Sequence, residues 1–156
     1  MERAKPEDKS IRIILFKVSG ENWGLGFHDV QEVFEGREIT PVPKAPPFIP
    51  GIVNLRGKII TVIDLALLIG APQTKEETSK ILCLRSDEMN IGLLVGSTIA
   101  IESLTKEPAE HEDLLKEGIT EHEPILKRRM VRKGKDQINL LDGNNIITWL
   151  DHYHFN

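Results

Sequence analysis

The sequence predicts a mainly β protein made of small barrels. Its apolar segments are short, they follow one another at close spacing, and glycine and proline residues interrupt them. This pattern is typical of small barrels rather than of βαβ units, which need a helix between successive strands. With 156 residues, of which 40% are hydrophobic and 28% charged, the chain suits one globular domain or two small domains that share a core.

A β-hairpin is predicted near the start of the chain. Residues 1–10 are polar and are expected to be a disordered lead-in. The alternation of apolar and polar residues in Ile11–Val18 predicts a strand, and residues 19–22 carry a turn signal. Trp23–Phe27 is predicted to return as the second strand of the hairpin.

A short helix is predicted after this hairpin. Asp29 is a suitable N-cap residue, because its carboxylate can accept a hydrogen bond from a free backbone N–H of the first helical turn. Val30, Val33 and Phe34 fall at positions i, i+3 and i+4, a spacing that places them on one helical face. The sequence therefore predicts a helix that begins after Asp29.

The segment 40–64 carries the strongest functional signal. Five prolines lead into the tetrad Asn54–Gly57, which lies between the predicted strands Gly51–Leu55 and Lys58–Ile63. Arg56 sits at the bend, where its planar guanidinium can reach a partner. No nucleophile, metal cluster or phosphate loop accompanies it in the sequence. We therefore interpret the segment as a recognition surface on a β scaffold.

Further strands are predicted beyond a polar boundary at residues 71–79. Asp64 is expected to cap a brief helix over Leu65–Ile69, which Gly70 and Pro72 end. Four strands and a terminal helix are predicted in the second half: Lys80–Arg85, Ile91–Val95, Thr98–Leu104, Ile138–Leu141 and the helix Asn144–Leu150.

The bulk composition argues against several classes of protein. A formal net charge of -4 disfavours a dedicated nucleic-acid binder, which is usually strongly basic. The single cysteine, Cys83, lies in an apolar run and is predicted to be a buried thiol in a reducing compartment. Because the sequence shows neither a secretion signal nor an apolar run of membrane-spanning length, the protein is predicted to be cytoplasmic.

The histidines form no recognised metal motif. Four of the five lie in the acidic stretch 107–123 or at the C-terminal end, at spacings that match no zinc pattern, and we interpret them as solvated. Ser97 and Cys83 lack the sequence context of a catalytic nucleophile. The sequence thus predicts no metal site, no cofactor and no catalytic residue.

Two stretches of opposite charge lie between the predicted strands of the second half. Residues 107–123 carry seven carboxylates and residues 127–135 carry six cations. We interpret the basic stretch as a solvated strand face that pairs with the acidic one. Contact with nucleic acid or with an anionic membrane, and a charge-steered protein contact, remain open alternatives.

In these motifs the chain resembles the CheW family, the coupling adaptors of bacterial chemotaxis arrays. The resemblance covers residues 13–70 without an obvious gap. The matching positions are 14–18, 23–27, 30–33, 43, 45–46, 48–49, 51–57 and 62–65.

The second half matches the family less fully. Residues 91–95 resemble a family strand, and the final strand, at 134–142, returns to the family's register. Gly96 and Thr98 stand where the family usually has an aspartate and an aliphatic residue. Arg129 occupies what resembles a small glycine position.

The resemblance implies a fold of two SH3-like, five-stranded barrels with a few short helices. A single CheW-like domain is expected over residues 11–150, with the first barrel at about 11–72 and the second at about 78–142. An exchange of segments between the barrels is left open. A terminal helix is expected at 143–150 and a tail at 151–156.

The resemblance also implies a non-catalytic function. Family members bridge a CheA-type histidine kinase, through its regulatory domain, and the cytoplasmic tip of a methyl-accepting chemoreceptor. The kinase domain is bound through barrel ends, and the receptor's helical hairpin docks in a groove between the barrels. The implied adaptor is recruited to receptor arrays at the inner membrane, without inserting into it and without binding nucleic acid.

Five residues are carried over to this receptor groove by matched position. Val30, Gly51 and Arg56 are expected to line it, with Glu32 and Asn54 in support. A docked helix pair needs apolar anchors and a few fixed polar contacts. Val30 would supply the first and Arg56 the second, and a glycine at position 51 would allow close approach.

Each polar residue of this set also has a plainer interpretation. Arg56 could be a structural arginine that pairs with Asp64 or Glu32 and holds the turn. Asn54 could satisfy the local backbone, as short amides beside turns often do. Glu32 could be a solvated residue on a short helix.

The departures in the second half leave a different function open. Gly96, Thr98 and Arg129 suggest a specialised CheW-like signalling module for a non-motility or divergent pathway. A kinase-binding antagonist that does not recruit receptors is the other form of this alternative.

Overall fold

The computed structural model describes residues 10–36, 38–72, 79–96, 99–105, 111–114, 127–133 and 135–151. These residues form eleven strands and two short α-helices, and a 3₁₀ turn at Phe27–Asp29 links β2 to β3. The strands are β1 (Ser10–Val18), β2 (Glu21–Gly26), β3 (Val30–Glu35), β4 (Gly51–Leu55), β5 (Lys58–Asp64), β6 (Lys80–Leu84), β7 (Ile91–Val95), β8 (Ile99–Thr105), β9 (His111–Leu114), β10 (Lys127–Lys133) and β11 (Asp136–Leu141). The helices are α1 (Leu65–Leu68) and α2 (Gly143–Asp151). The predicted mainly β fold class is confirmed.

The strands form two sheets. One has six strands in the order β8-β1-β2-β11-β10-β9, and the other has five in the order β3-β6-β7-β5-β4. Two parallel pairs, β2 with β11 and β5 with β7, bring together segments that are distant in the sequence. Each sheet therefore combines strands from both halves of the chain. The residue ranges expected for the two barrels stay a prediction.

The predicted helix after Asp29 is wrong, because Val30–Glu35 forms strand β3. The strand carries a bulge between Val30 and Glu32, which changes the face on which later side chains lie. Val30 packs into the core between the sheets, and Phe34 packs against the core of the five-stranded sheet. Val33 points outward and is 38% exposed. The apolar spacing that resembles a helix thus comes from a bulged strand.

Asp29 nevertheless acts at a helix start, but at that of α2. Its Oδ2 accepts a hydrogen bond at 3.1 Å from the backbone N–H of Gly143, the first residue of that helix. Its backbone oxygen accepts from the N–H of Arg85 at 2.8 Å. The residue therefore ties the crossing between the two sheets to α2 and to the end of β6.

The acidic stretch contains a strand, β9, although no strand is predicted there from the sequence. The structure places strand β9 at His111–Leu114, where it pairs with β10. Consecutive polar residues can form a strand when a neighbouring strand supplies the hydrogen bonds, and the local composition does not reveal this pairing. The rest of the acidic stretch lies outside the described residues.

Among the residues that the structure describes, three apolar clusters form the core. The largest lies between the sheets and includes Phe16, Trp23, Leu82 and Trp149. A second cluster lies within the five-stranded sheet and a third within the six-stranded sheet. Since α2 buries Trp149 in the largest cluster, the terminal helix is part of the shared core.

The short helix α1 confirms the predicted cap. Asp64 is fully buried, and its Oδ1 accepts from the backbone N–H of Ala66 at 3.0 Å. Leu65 and Leu68 of α1 are buried in the core between the sheets. Within the described part of the chain, no helix is long and apolar enough to cross a bilayer.

Candidate protein-interaction site

The bend between β4 and β5 is a two-residue turn. Leu55 pairs with Lys58, and the two residues between them, Arg56 and Gly57, have φ values of 53° and 85°. Positive φ at both central positions defines a type I′ turn, which matches the twist of the flanking strands. Asn54 Oδ1 accepts the backbone N–H of Gly57 at 2.9 Å. The plainer interpretation of Asn54, a residue that satisfies the local backbone, describes this contact.

Arg56 reaches from this turn to the opposite edge of the same sheet. Its Nη2 donates to both carboxylate oxygens of Glu32, each at 2.6 Å. Glu32 lies on β3, and β3 and β4 are the two edge strands of the five-stranded sheet. The ion pair therefore joins the edges of a strongly curved sheet, at one end of the barrel that the sheet forms.

The ion pair also sets the charges at this end of the barrel. The hydrogen bond from Arg56, together with its positive charge, lowers the pKa of Glu32 below its ordinary value. The same bond raises the pKa of the Arg56 guanidinium. Both groups are therefore charged at neutral pH. Arg56 keeps 69% of its side chain exposed and Glu32 keeps 35%.

A cleft of about 200 Å³ opens beside the ion pair, and we call it the mouth cleft. Its apolar lining is Leu55, Ile60, Cys83, Leu84 and Ile91, and its polar lining is Gln31, Glu32, Arg56, Lys58 and Asn90. Several of the apolar residues belong to the core cluster of the five-stranded sheet. The cleft is thus the place where the barrel core meets solvent.

Cys83 lines this cleft and is the register partner of Glu32. It is only 8% exposed, which confirms the predicted buried thiol. Burial, and next the negative charge of Glu32, raise the pKa of the thiol to about 11. A thiol with such a pKa is protonated at neutral pH and is a poor nucleophile.

Gly51 is buried at the start of β4 rather than exposed at a groove surface. A Cβ at this position would overlap the carbonyl oxygen of Thr40. Thr40 and Ile52 exchange two backbone hydrogen bonds at 2.9 Å, so the approaching backbone belongs to the same chain. This contact within the chain is a sufficient physical reason for the glycine.

The structure brings together three of the five predicted groove residues. Arg56, Glu32 and Asn54 meet at the β4–β5 turn. Val30 lies elsewhere: it is 7% exposed, pairs with Leu84 and packs in the core between the sheets. Val30 and Gly51 are therefore buried beneath the site, and neither offers an exposed surface to a partner.

Sequence reasoning missed Lys58, which also lines the mouth cleft. It is exposed, and its positive charge helps to lower the pKa of Glu32. Its spacing in the sequence could have identified it, because Lys58 lies two residues before the apolar Ile60. Alternate residues of a strand share a face, so Lys58 and Ile60 both lie on the cleft side of β5.

The residues of the second half that depart from the family pattern lie at different places in the fold. The N–H of Gly96 donates to the carbonyl oxygen of Lys17 at 2.8 Å, where the chain passes from β7 toward β8. Arg129 is exposed on β10, opposite Leu140 of β11. Thr98 lies outside the described residues. Most of the basic stretch, Lys127–Lys133, forms strand β10, which agrees with its interpretation as a strand face.

The predicted histidine clusters lie in segments whose side chains the structure does not describe. Among the described residues, no group of three or more histidine, cysteine, aspartate or glutamate side chains is placed to hold a metal ion. The predicted absence of metals and cofactors stays a prediction.

Two curved sheets that share one core, each built from strands of both halves of the chain, define a class of double-barrel β proteins. The chain belongs to the family of the CheW-like domain, whose family model matches residues 12–151. This is a family of scaffold and adaptor proteins of chemotaxis, and it confirms the expectation that the chain is not an enzyme.

Individual relatives agree with this assignment. The chemotaxis protein CheW of Thermotoga maritima is 29% identical over 98 residues, which cover 63% of this chain and 65% of that protein, just under two thirds of its length. CheW of Bacillus subtilis is 24% identical over 137 residues, which cover 87% of this chain and 86% of that protein. The crystal structure of a scaffolding protein, CheW of Thermoanaerobacter tengcongensis, is similar with a TM-score of 0.66 and 28% identity. That similarity covers 84% of this chain and 88% of that one.

Proposed function

We propose that this protein is an adaptor that couples chemoreceptors to a CheA-type histidine kinase. The observation that carries the proposal is the guanidinium of Arg56, which an ion pair with Glu32 holds at the barrel end while most of its side chain stays exposed. A polar group that is fixed in place but still open to solvent suits recognition, because little conformational entropy is lost on binding.

The receptor site in this proposal is centred on the β4–β5 turn. Arg56, Glu32 and Asn54 form its polar part, and the mouth cleft supplies an apolar part. A docked helix needs both kinds of contact. Val30 and Gly51 contribute indirectly, since they fix the positions of β3 and β4 beneath the surface.

The kinase partner in this proposal is the regulatory domain, bound through a barrel end other than the one that carries Arg56. The receptor partner is the helical hairpin at the cytoplasmic tip, so the adaptor works in the cytoplasm beside the receptor array. Contacts within an array must form and rearrange, so each interface is expected to be modest, on the order of 1,000 Å² or less.

A binding experiment with both partners tests the proposal. The full chain is mixed with a receptor tip fragment and, separately, with the kinase regulatory domain of the same organism. Binding to both supports the adaptor, and binding to neither contradicts it. An Arg56→Glu variant that still folds but binds the receptor fragment as tightly as wild type contradicts the proposed receptor contact of Arg56.

A second candidate function is a kinase-binding module that does not recruit receptors. The exposed arginine at position 129, in the half that departs from the family pattern, favours it. The same experiment separates the two functions, since this module binds the kinase domain alone.

A further inference from the structure

The mouth cleft points to the chemistry of its occupant, and this inference rests on the proposed function. We propose that the cleft receives an aliphatic side chain of the partner helix, and that a carboxylate about one helical turn away on that helix pairs with Arg56 and Lys58.

The charges at the cleft favour an anionic partner group. Two cations, Arg56 and Lys58, line it together with one anion, Glu32. Both oxygens of Glu32 already accept from a single nitrogen of Arg56, Nη2. Within the described residues, the other guanidinium nitrogens and the Lys58 ammonium make no hydrogen bond, so donors remain for a carboxylate.

The position of the Arg56 donors is fixed before binding. The turn that carries Arg56 is held by its own geometry and by the bond between Asn54 and Gly57. The guanidinium is held from the other side by Glu32. A planar group oriented in this way matches the two oxygens of a carboxylate.

The apolar lining of the mouth cleft limits the size and the chemistry of the partner side chain that enters it. Leu55, Ile60 and Ile91 line a cleft of about 200 Å³, room for one side chain rather than a whole helix. An aliphatic group there excludes water from the adjoining ion pairs and so strengthens them. On a helix, residues three or four positions apart lie on one face, so one helix can present both groups.

Lys58 provides the variant for the test, because it is exposed and lies outside the Glu32–Arg56 pair. The dissociation constant for the receptor tip fragment is measured for wild type, Lys58→Glu and Lys58→Gln. Lys17→Glu, at an exposed lysine of β1, is the control. Lys58→Glu is expected to weaken binding about tenfold or more and Lys58→Gln less, while the control binds as wild type. Unfolding midpoints establish that all variants fold.

A charge exchange identifies the carboxylate. Each aspartate or glutamate of the receptor fragment is changed to lysine in turn, and each variant is tested against Lys58→Glu. The inference requires one of them to restore most of the lost affinity. Two results overturn the proposed carboxylate contact while the wild-type proteins still bind each other: Lys58→Glu binds as tightly as wild type, or no charge exchange restores affinity. In both cases the proposed adaptor function is not contradicted. If the wild-type proteins do not bind, the proposed receptor function itself fails, and this inference with it.

Cys83 reports on the aliphatic half of the occupant, since its side chain lines the cleft. Its alkylation rate is measured at pH 9 with and without a saturating receptor fragment. A filled cleft is expected to slow alkylation about fivefold or more, because the reagent can no longer approach the thiol. An unchanged rate under saturating partner overturns this half of the proposal.

Discussion

Nη2 of Arg56 lies 2.6 Å from both carboxylate oxygens of Glu32, a residue 24 positions earlier in the chain. The contact joins a hairpin turn to the opposite edge strand of the same sheet. The contact therefore holds the barrel together at this end and also fixes Arg56 in the proposed receptor site. The two interpretations of Arg56, as a structural arginine and as a recognition residue, are compatible in this geometry.

The ion pair gives the stability a defined pH dependence. Because the pKa of Glu32 is lowered in the folded protein, its contribution is present above the ordinary glutamate pKa and is lost as the pH falls through the folded value. Urea midpoints of wild type and Glu32→Gln should therefore differ at pH 7 and converge in acid. The difference at pH 7 should be small, since the pair is exposed. A difference that grows in acid would contradict this reasoning.

Gly51→Ala is expected to be strongly destabilising. The new Cβ would overlap the carbonyl oxygen of Thr40, and relief requires moving the bridge between Thr40 and Ile52. We expect a loss of about 3 kcal/mol in the free energy of unfolding, measured by urea denaturation. Gly57→Ala is the matched control: φ is also positive, at 85°, but the space around it is open. It should cost only about 1 kcal/mol.

Asp29 is expected to stabilise α2 across the fold. Asp29→Ala removes the acceptor for the N–H of Gly143 and should lower the free energy of unfolding by about 1 kcal/mol. Asp29→Asn keeps an oxygen acceptor and should retain most of that stability. Equal losses in the two variants, measured by urea denaturation, would show that the hydrogen bond is not the cause.

Cys83 is expected to react slowly with alkylating reagents. A pKa of about 11, compared with the ordinary 9.0, leaves about 100-fold less thiolate at pH 8. Mass spectrometry should show slow modification of the folded protein by iodoacetamide and fast modification in denaturant. Equally fast modification in both states would mean that the thiol is not buried.

Much of the fold could be predicted from alternation and turn residues. The hairpin of β4 and β5 is an example, because Gly57 and the flanking β-branched residues specify it locally. The β3 strand was missed since a bulge separates Val30 from Glu32 and imitates helical spacing. Bulges and the pairing of distant strands depend on neighbours that the local sequence does not identify.

The candidate site could be predicted only in part for a related reason. The turn identified Arg56, but the sequence left its partner open between Asp64 and Glu32, and the choice depends on how the sheet curves. Asp64 instead caps α1 in the interior. Val30 was expected at the surface, and the tertiary packing of the two sheets buries it.

The most direct test of the adaptor site is an exchange of the two charges. Arg56→Glu alone should abolish most receptor-fragment binding, and the double variant Glu32→Arg with Arg56→Glu should regain thermal stability without regaining affinity. The dissociation constant for the receptor fragment is the deciding measurement. A double variant that binds as tightly as wild type would show that the pair acts only within the barrel, and would contradict a direct receptor contact by Arg56.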